Sequence, residues 1–212
     1  MRSTSSARPI ELGPFDYEQL PDTPSLWIAE GLTTYYGDLA VVRSGVGSAE
    51  DFLAGLSGLI RSLQTSPGRL VQTLEESSRR AGAQGSGVGG DRNKTVSYYV
   101  KGPIVGWLLD VRIRKITNDR ASLDDVMRLA YRRYGGERGF RPEEFVEVLS
   151  QVAGDDMSDF THRLIGTTEE LDYAEALDWF GVRFAEGWAL EPRPDASDAA
   201  RRHLQGLMTG RQ

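Results

Sequence analysis

Cysteine is absent from the 212 residues and histidine occurs only twice. No disulfide framework, thiolate metal site or thiol nucleophile can be built, which leaves His, Asp, Glu, Ser and Tyr to carry any chemistry. Positive charge is also short, with 25 Lys and Arg against 31 Asp and Glu and a net charge of -6. That balance gives no electrostatic footprint for nucleic acid and no attraction to an anionic membrane surface. The opening MRSTSSARP contains no apolar run, so neither a signal peptide nor a membrane anchor is expected, and a cytoplasmic address is the default. The remainder, 39% hydrophobic and 26% charged, has the composition of one ordinary soluble domain with a sizeable core.

The spacing of apolar residues predicts a mainly α fold. Residues 1–23 are rich in Pro, Gly and Ser and read as an extended arm; residues 24–185 read as a helical domain, and 186–212 as a tail with a short helix. Helices are predicted over 25–43, 48–63 and 67–80, then over 96–116, 122–134, 142–152 and 155–165, with short ones over 173–180 and 196–208 and a possible strand at 182–184. The segment 96–116 is apolar on almost every side and should be the central buried helix. Pro103 lies within it, and because proline is cheap only in a first turn, a start near Gly102 or a kink there is expected. The run GAQGSGVGGDR at 82–92 predicts a surface loop; it lacks the preceding strand and following Lys-Ser/Thr of a phosphate-binding loop.

The first helix carries an unusual polar face. On a wheel of about 100° per residue, Ile28, Leu32, Tyr35, Tyr36, Leu39 and Val42 form the apolar stripe, with Trp27, Glu30, Gly31, Thr34, Gly37, Asp38 and Val41 opposite. A solvated face normally carries good helix formers, whereas this one carries two glycines and a threonine. Glycines there imply close approach of another backbone or of a ligand, so a helix contact with Glu30 at its rim and a binding site both stay open.

The run LWIAEGLTTYYGDL at 26–39 resembles the W-x-x-E-G-x-T-x-Y-Y segment of the glycyl aminopeptidase family, within the gluzincin zinc metallopeptidases. The resemblance continues through Arg8-Pro9, LGPFDY at 12–17, Pro67-Gly68-Arg69, QTLEESS at 72–78, TVSYYVKGPIVGWLLD at 95–110 and SLDDVMR at 122–128. Several motifs in the family's order make it specific over most of residues 8–184. It implies a helical, bundle-like domain similar to the C-terminal half of a gluzincin catalytic domain, in an enzyme that cleaves peptides. In the family the Glu of W-x-x-E-G completes a zinc site with the two His of an upstream H-E-x-x-H, which makes Glu30 the implied metal ligand. Tyr99-Val100-Lys101-Gly102 is similar to the family's Y-x-K-G, whose Tyr hydrogen-bonds the oxyanion of the tetrahedral intermediate, and this implies a catalytic role for Tyr99. A phenol suits that task because it donates to a developing negative charge while staying neutral at pH 7. The bland reading packs Tyr98 and Tyr99 in the core.

The histidine pair is missing. His162 and His203 do not form H-x-x-x-H and read as ordinary imidazoles. In the family, H-E-x-x-H precedes the segment matching Arg8-Pro9 by a few residues, which would put the second His just before Met1. A truncated gene, a mis-assigned start or one half of a split enzyme is expected over gradual decay. Two further departures concern a Gly-rich stretch at 79–91 where the family has aromatics and the lack of a PDZ module after 180–184. The expectation is a domain in which Glu30 and Tyr99 face one cavity, binding no zinc and cleaving no peptide by itself. The alternatives are a non-catalytic helical interaction domain whose notch at Gly31, Thr34 and Gly37 receives a partner helix, and a half-enzyme completed by a chain that supplies H-E-x-x-H. Asp124/Asp125 and Asp155/Asp156 are expected to cap helices, Arg112-Ile113-Arg114-Lys115 to be a solvated face, and no nucleophile elbow supports a Ser-His-Asp triad.

Overall fold

The computed structural model describes residues 7–13, 22–79, 90–136 and 138–210. Most of the predicted 82–92 loop falls outside these ranges. The described residues form nine α-helices and one two-stranded antiparallel sheet. No helix among them is long and apolar enough to cross a membrane.

Helix α4, Tyr98–Thr117, is the axis of the core. The segments against it are a π-helical turn at Trp27–Leu32, α1 (Thr33–Arg43), α2 (Ala49–Gln64), α3 (Leu74–Arg79), α5 (Leu123–Tyr134), α6 (Pro142–Ala153), α7 (Ser158–Ile165) and α8 (Ala174–Trp179). Local chemistry sets the boundaries. Ser48 caps α2 in a reciprocal box with Asp51, and Ser122 does the same for α5 with Asp125, each satisfying backbone donors that a helix leaves free at its start. Ser97 caps α4 by accepting the Tyr99 N–H, and Asn118 ends it in the left-handed region at φ 53°, a conformation asparagine tolerates. Pro142 opens α6, and Gly154 closes it at φ 69°.

Several expectations needed correction. Helix α4 starts at Tyr98, so Pro103 lies inside it. The proline removes only the N–H that would meet the Tyr99 carbonyl, and it is buried in the packed centre. The predicted helix over 67–80 is two pieces, a 3₁₀ turn at Pro67–Leu70 and α3, separated where the Gln72 side chain turns to accept the Val96 N–H at 2.9 Å. Arg114 does not lie on a solvated face. It is 1% exposed, and its Nε donates to Asp110 at 3.1 Å while Nη1 meets Asp119 at 3.3 Å. Asp110 also accepts from the Tyr35 hydroxyl at 2.9 Å and from the Leu123 N–H at 2.9 Å, so one buried carboxylate joins α1, α4 and the start of α5. Arg112 and Lys115, by contrast, do lie toward solvent and pair with Glu175.

At the N-terminal end, Ile10 donates to the Phe140 carbonyl at 2.8 Å and Phe140 to the Arg8 carbonyl at 2.9 Å. At the other end, β1 (Val182–Phe184) pairs with β2 (Leu190–Pro192), a strand the periodicity did not reveal. Helix α9, Asp198–Thr209, packs on α1 and α8. Its His203 Nδ1 bonds Asp119, and its ring stacks on Trp179 with centroids 3.8 Å apart. His162 is exposed on α7.

The π turn crosses α4 at two glycines. A Cβ on Gly31 would sit 2.7 Å from the Gly102 Cα, and one on Gly102 would sit 2.8 Å from the Gly31 Cα, whereas one on Gly37 would meet nothing within 4 Å. Gly102→Ala should therefore lower stability in urea unfolding by roughly 2–3 kcal/mol through overpacking. Gly37→Ala should raise it by about 0.8 kcal/mol, the ordinary gain of alanine within a helix.

Candidate functional site

Glu30 sits in the π turn, a geometry with i→i+5 hydrogen bonds that occurs mostly as single turns and often at functional sites. The turn begins after Pro24-Ser25, where the Ser25 carbonyl accepts from both Ile28 and Ala29. The 100° wheel fails here for that reason: Trp27, expected on the polar face, is 2% exposed and packs edge-on against Phe145. Gly31 is buried as well, against α4. Of the glycine notch, the chain's own Gly102 fills the part at Gly31, and only Thr34 and Gly37 stay open. That removes much of the surface on which a partner helix was expected.

The backbone crossing brings two side chains together. The Tyr99 hydroxyl, on the first turn of α4, donates to Glu30 Oε2 at 2.8 Å. Both residues are half-buried. Burial, the hydrogen bond to Glu30 and the charge of Glu30 push the Tyr99 phenol up to about 12. It therefore remains a proton donor across the neutral range. Tyr98 packs beside it with ring centroids 4.8 Å apart, and burial followed by the Glu30 charge raises its phenol too. The hydroxyl of Thr34 turns back to the Glu30 carbonyl at 2.8 Å, which keeps it bonded within the helix.

Tyr99 also borders a cavity of about 230 Å³ with Val96, Ser97, Val100 and Arg92. A larger cavity, about 710 Å³, lies on another side of the same turn, between Trp27, Ile28 and helices α6 and α7. Neither Glu30 nor Tyr99 lines it, and the acids at its mouth include Glu75 and Glu143, which occupy first helical turns. Of the pair, Tyr99 alone borders the small cavity and Glu30 lines neither, so the two meet at their hydrogen bond and not within either cavity. Among the described residues no group of three or more His, Asp or Glu is gathered to hold a metal ion.

A model of the M61 glycyl aminopeptidase family matches residues 3–105, which include the π turn, Glu30 and Tyr99. A solved structure from Idiomarina loihiensis, described as an aminopeptidase N family protein, is similar over 84% of this chain, with a TM-score of 0.76 and 27% identity. Over residues 3–105 the chain matches the glycyl aminopeptidase family. It spans 30% of the length of that Idiomarina protein. None of the curated proteins matches it.

Sequence reasoning missed Lys101, the Lys of the Y-x-K-G segment. It is 2% exposed, and among the described residues its ammonium has no hydrogen-bond or ion-pair partner. Burial pushes it down to about 8, with the charge of Glu170 opposing. A lone cation within an otherwise apolar heptad of α4 is the signal that could have marked it. Because the unfolded chain holds this proton up to about pH 10.5 and the folded chain releases it near 8, the cost of burying the charge is complete below pH 8 and is relieved as pH rises. Lys101→Met should accordingly be more stable than the wild type by up to about 3 kcal/mol at pH 7, with the difference shrinking toward pH 10 in urea unfolding.

Proposed function

We propose that this chain is the part of a glycyl-aminopeptidase-type peptidase that supplies Glu30 as one carboxylate ligand of a catalytic zinc and Tyr99 as the donor to the oxyanion. The substrate class is a short peptide cleaved at its first peptide bond. The observation that supports the reading is the 2.8 Å contact between Tyr99 and Glu30, in which a carboxylate oxygen and a neutral hydrogen-bond donor meet from two separate elements.

A catalytic zinc takes three protein ligands and keeps a fourth position open. The described residues offer one carboxylate and no gathered set of three, so this chain's own side chains do not fit the metal alone. Bound zinc would activate water and polarise the scissile carbonyl. What the chain itself supplies is narrower. Glu30 holds a carboxylate oxygen at the rim of the turn, and Tyr99 holds a proton that its raised pKa retains at neutral pH. A phenol in a partly dry site donates to a developing oxyanion without a change of its own charge. The isolated chain is inactive on this reading, and a segment carrying H-E-x-x-H, on the same polypeptide or on another, would complete it.

The test has two parts. The purified chain should hold well under one zinc per molecule by elemental analysis and should not release p-nitroaniline from glycine p-nitroanilide; stoichiometric zinc with turnover would refute the inactivity. When the chain is completed by an H-E-x-x-H-bearing polypeptide, Tyr99→Phe should lower kcat by about 10²-fold with little change in KM, as for other lost oxyanion donors. An unchanged kcat would remove the oxyanion role.

A further inference from the structure

Helix α3 buries two consecutive serines, Ser77 and Ser78, completely. A hydroxyl taken out of water is costly unless it is hydrogen-bonded, and both of these are. The Ser78 hydroxyl accepts the Trp27 N–H at 3.2 Å and donates to the Leu74 carbonyl at 3.0 Å. The Ser77 hydroxyl donates to the Val96 carbonyl, and Gln72, just before α3, accepts the N–H of the same Val96 at 2.9 Å.

These bonds reach the two backbones that present the site residues. Trp27 opens the π turn that carries Glu30, and its N–H is among those a helix start leaves without an intrahelical partner. Val96 directly precedes Ser97, the cap of α4, whose hydroxyl accepts the Tyr99 N–H at 3.2 Å. One short helix is thus tied by side chains to the segment behind Glu30 and to the segment behind Tyr99. We propose that Ser77 and Ser78 are positioning residues that hold the Glu30 turn and the Tyr99 end of α4 in register. Their bearing on peptide hydrolysis rests on the function proposed above; the register itself does not.

Without the Ser78 oxygen, the Trp27 N–H would be buried and unsatisfied, and the turn would have to shift to find another acceptor. Any such shift moves Glu30 against Tyr99, because Glu30 lies three residues along the same turn. Ser57 supplies the control. Its hydroxyl donates to the Leu53 carbonyl and accepts the Leu190 N–H at 2.7 Å, so it makes the same kind of buried bond where α2 meets β2.

The experiment is carbon NMR on the full chain with tyrosine labelled at Cζ, which reports whether the phenol donates a hydrogen bond. The Tyr99 resonance is assigned by its loss in Tyr99→Phe, and Glu30→Ala gives the shift of the unpaired phenol. Ser78→Ala should move the Tyr99 resonance by most of that shift, and Ser77→Ala should move it in the same direction. Ser57→Ala should leave it in place while lowering stability by a similar amount. A Tyr99 resonance unmoved in both Ser77→Ala and Ser78→Ala, or moved equally by Ser57→Ala, would overturn the proposal. Should one of the two serine variants fail to fold, the other decides. A chain that neither takes zinc nor cleaves peptide when completed would count against the proposed function and leave this readout unaffected.

Discussion

The close approach of two backbones at Gly31 and Gly102 is the constraint on which the candidate site depends. Neither position has room for a methyl group, and any added side chain would push the π turn off α4. The separation between the two segments fixes the distance between the carboxylate one residue before Gly31 and the phenol three residues before Gly102. The hydrogen bond between Glu30 and Tyr99 is a consequence of that crossing. Chemistry at this spot is therefore tied to core packing: the same contact that buries Trp27 and Leu32 aligns the polar pair at its edge.

A second constraint runs along the far half of α4. Asp110 and Arg114 lie one turn apart in the interior, each almost fully removed from water. Three donors from three segments converge on Asp110, and Asp119 bonds both Arg114 and the His203 ring of α9. A buried pair of this kind adds little net stability, because desolvation offsets the attraction, yet losing one partner leaves a charge stranded. Its effect is on geometry: α1 and α5 can sit on α4, and α9 on α1, in one arrangement only if all the polar atoms are to be satisfied. The polar half of α4 orders the scaffold and the glycine half presents the site.

Much of this was legible in the sequence, for reasons that can be given residue by residue. The helices α2, α5 and α6 follow from three- and four-residue spacing and from Ser48, Ser122 and Pro142 at their starts. Glu30 and Tyr99 stood out because family motifs surround them; of the two glycines taken to mark an approaching backbone or ligand, Gly31 meets the backbone of Gly102 and Gly37 meets nothing. Periodicity could not show that the first turn is π-helical, since a wheel assumes one rise and one rotation throughout. It also could not separate Arg114 from Arg112, because only the tertiary fold decides which of two nearby arginines turns inward. Ser77 and Ser78 look like surface residues beside Glu75 and Glu76; their burial arises from the two backbones above them.

The π turn has a consequence for how the chain can change. A turn closed by i→i+5 bonds holds one residue more than an α turn, and removing a residue there would let the helix relax to ordinary pitch. The residues of the turn itself would then rotate relative to α4 while the flanks kept their orientation, changing which residue meets Gly102. Length is consequently fixed between Pro24 and Thr33 in a way that composition is not, whereas the Gly45–Gly47 bend, with Gly45 at φ 77° and open space around it, tolerates inserted residues at little cost.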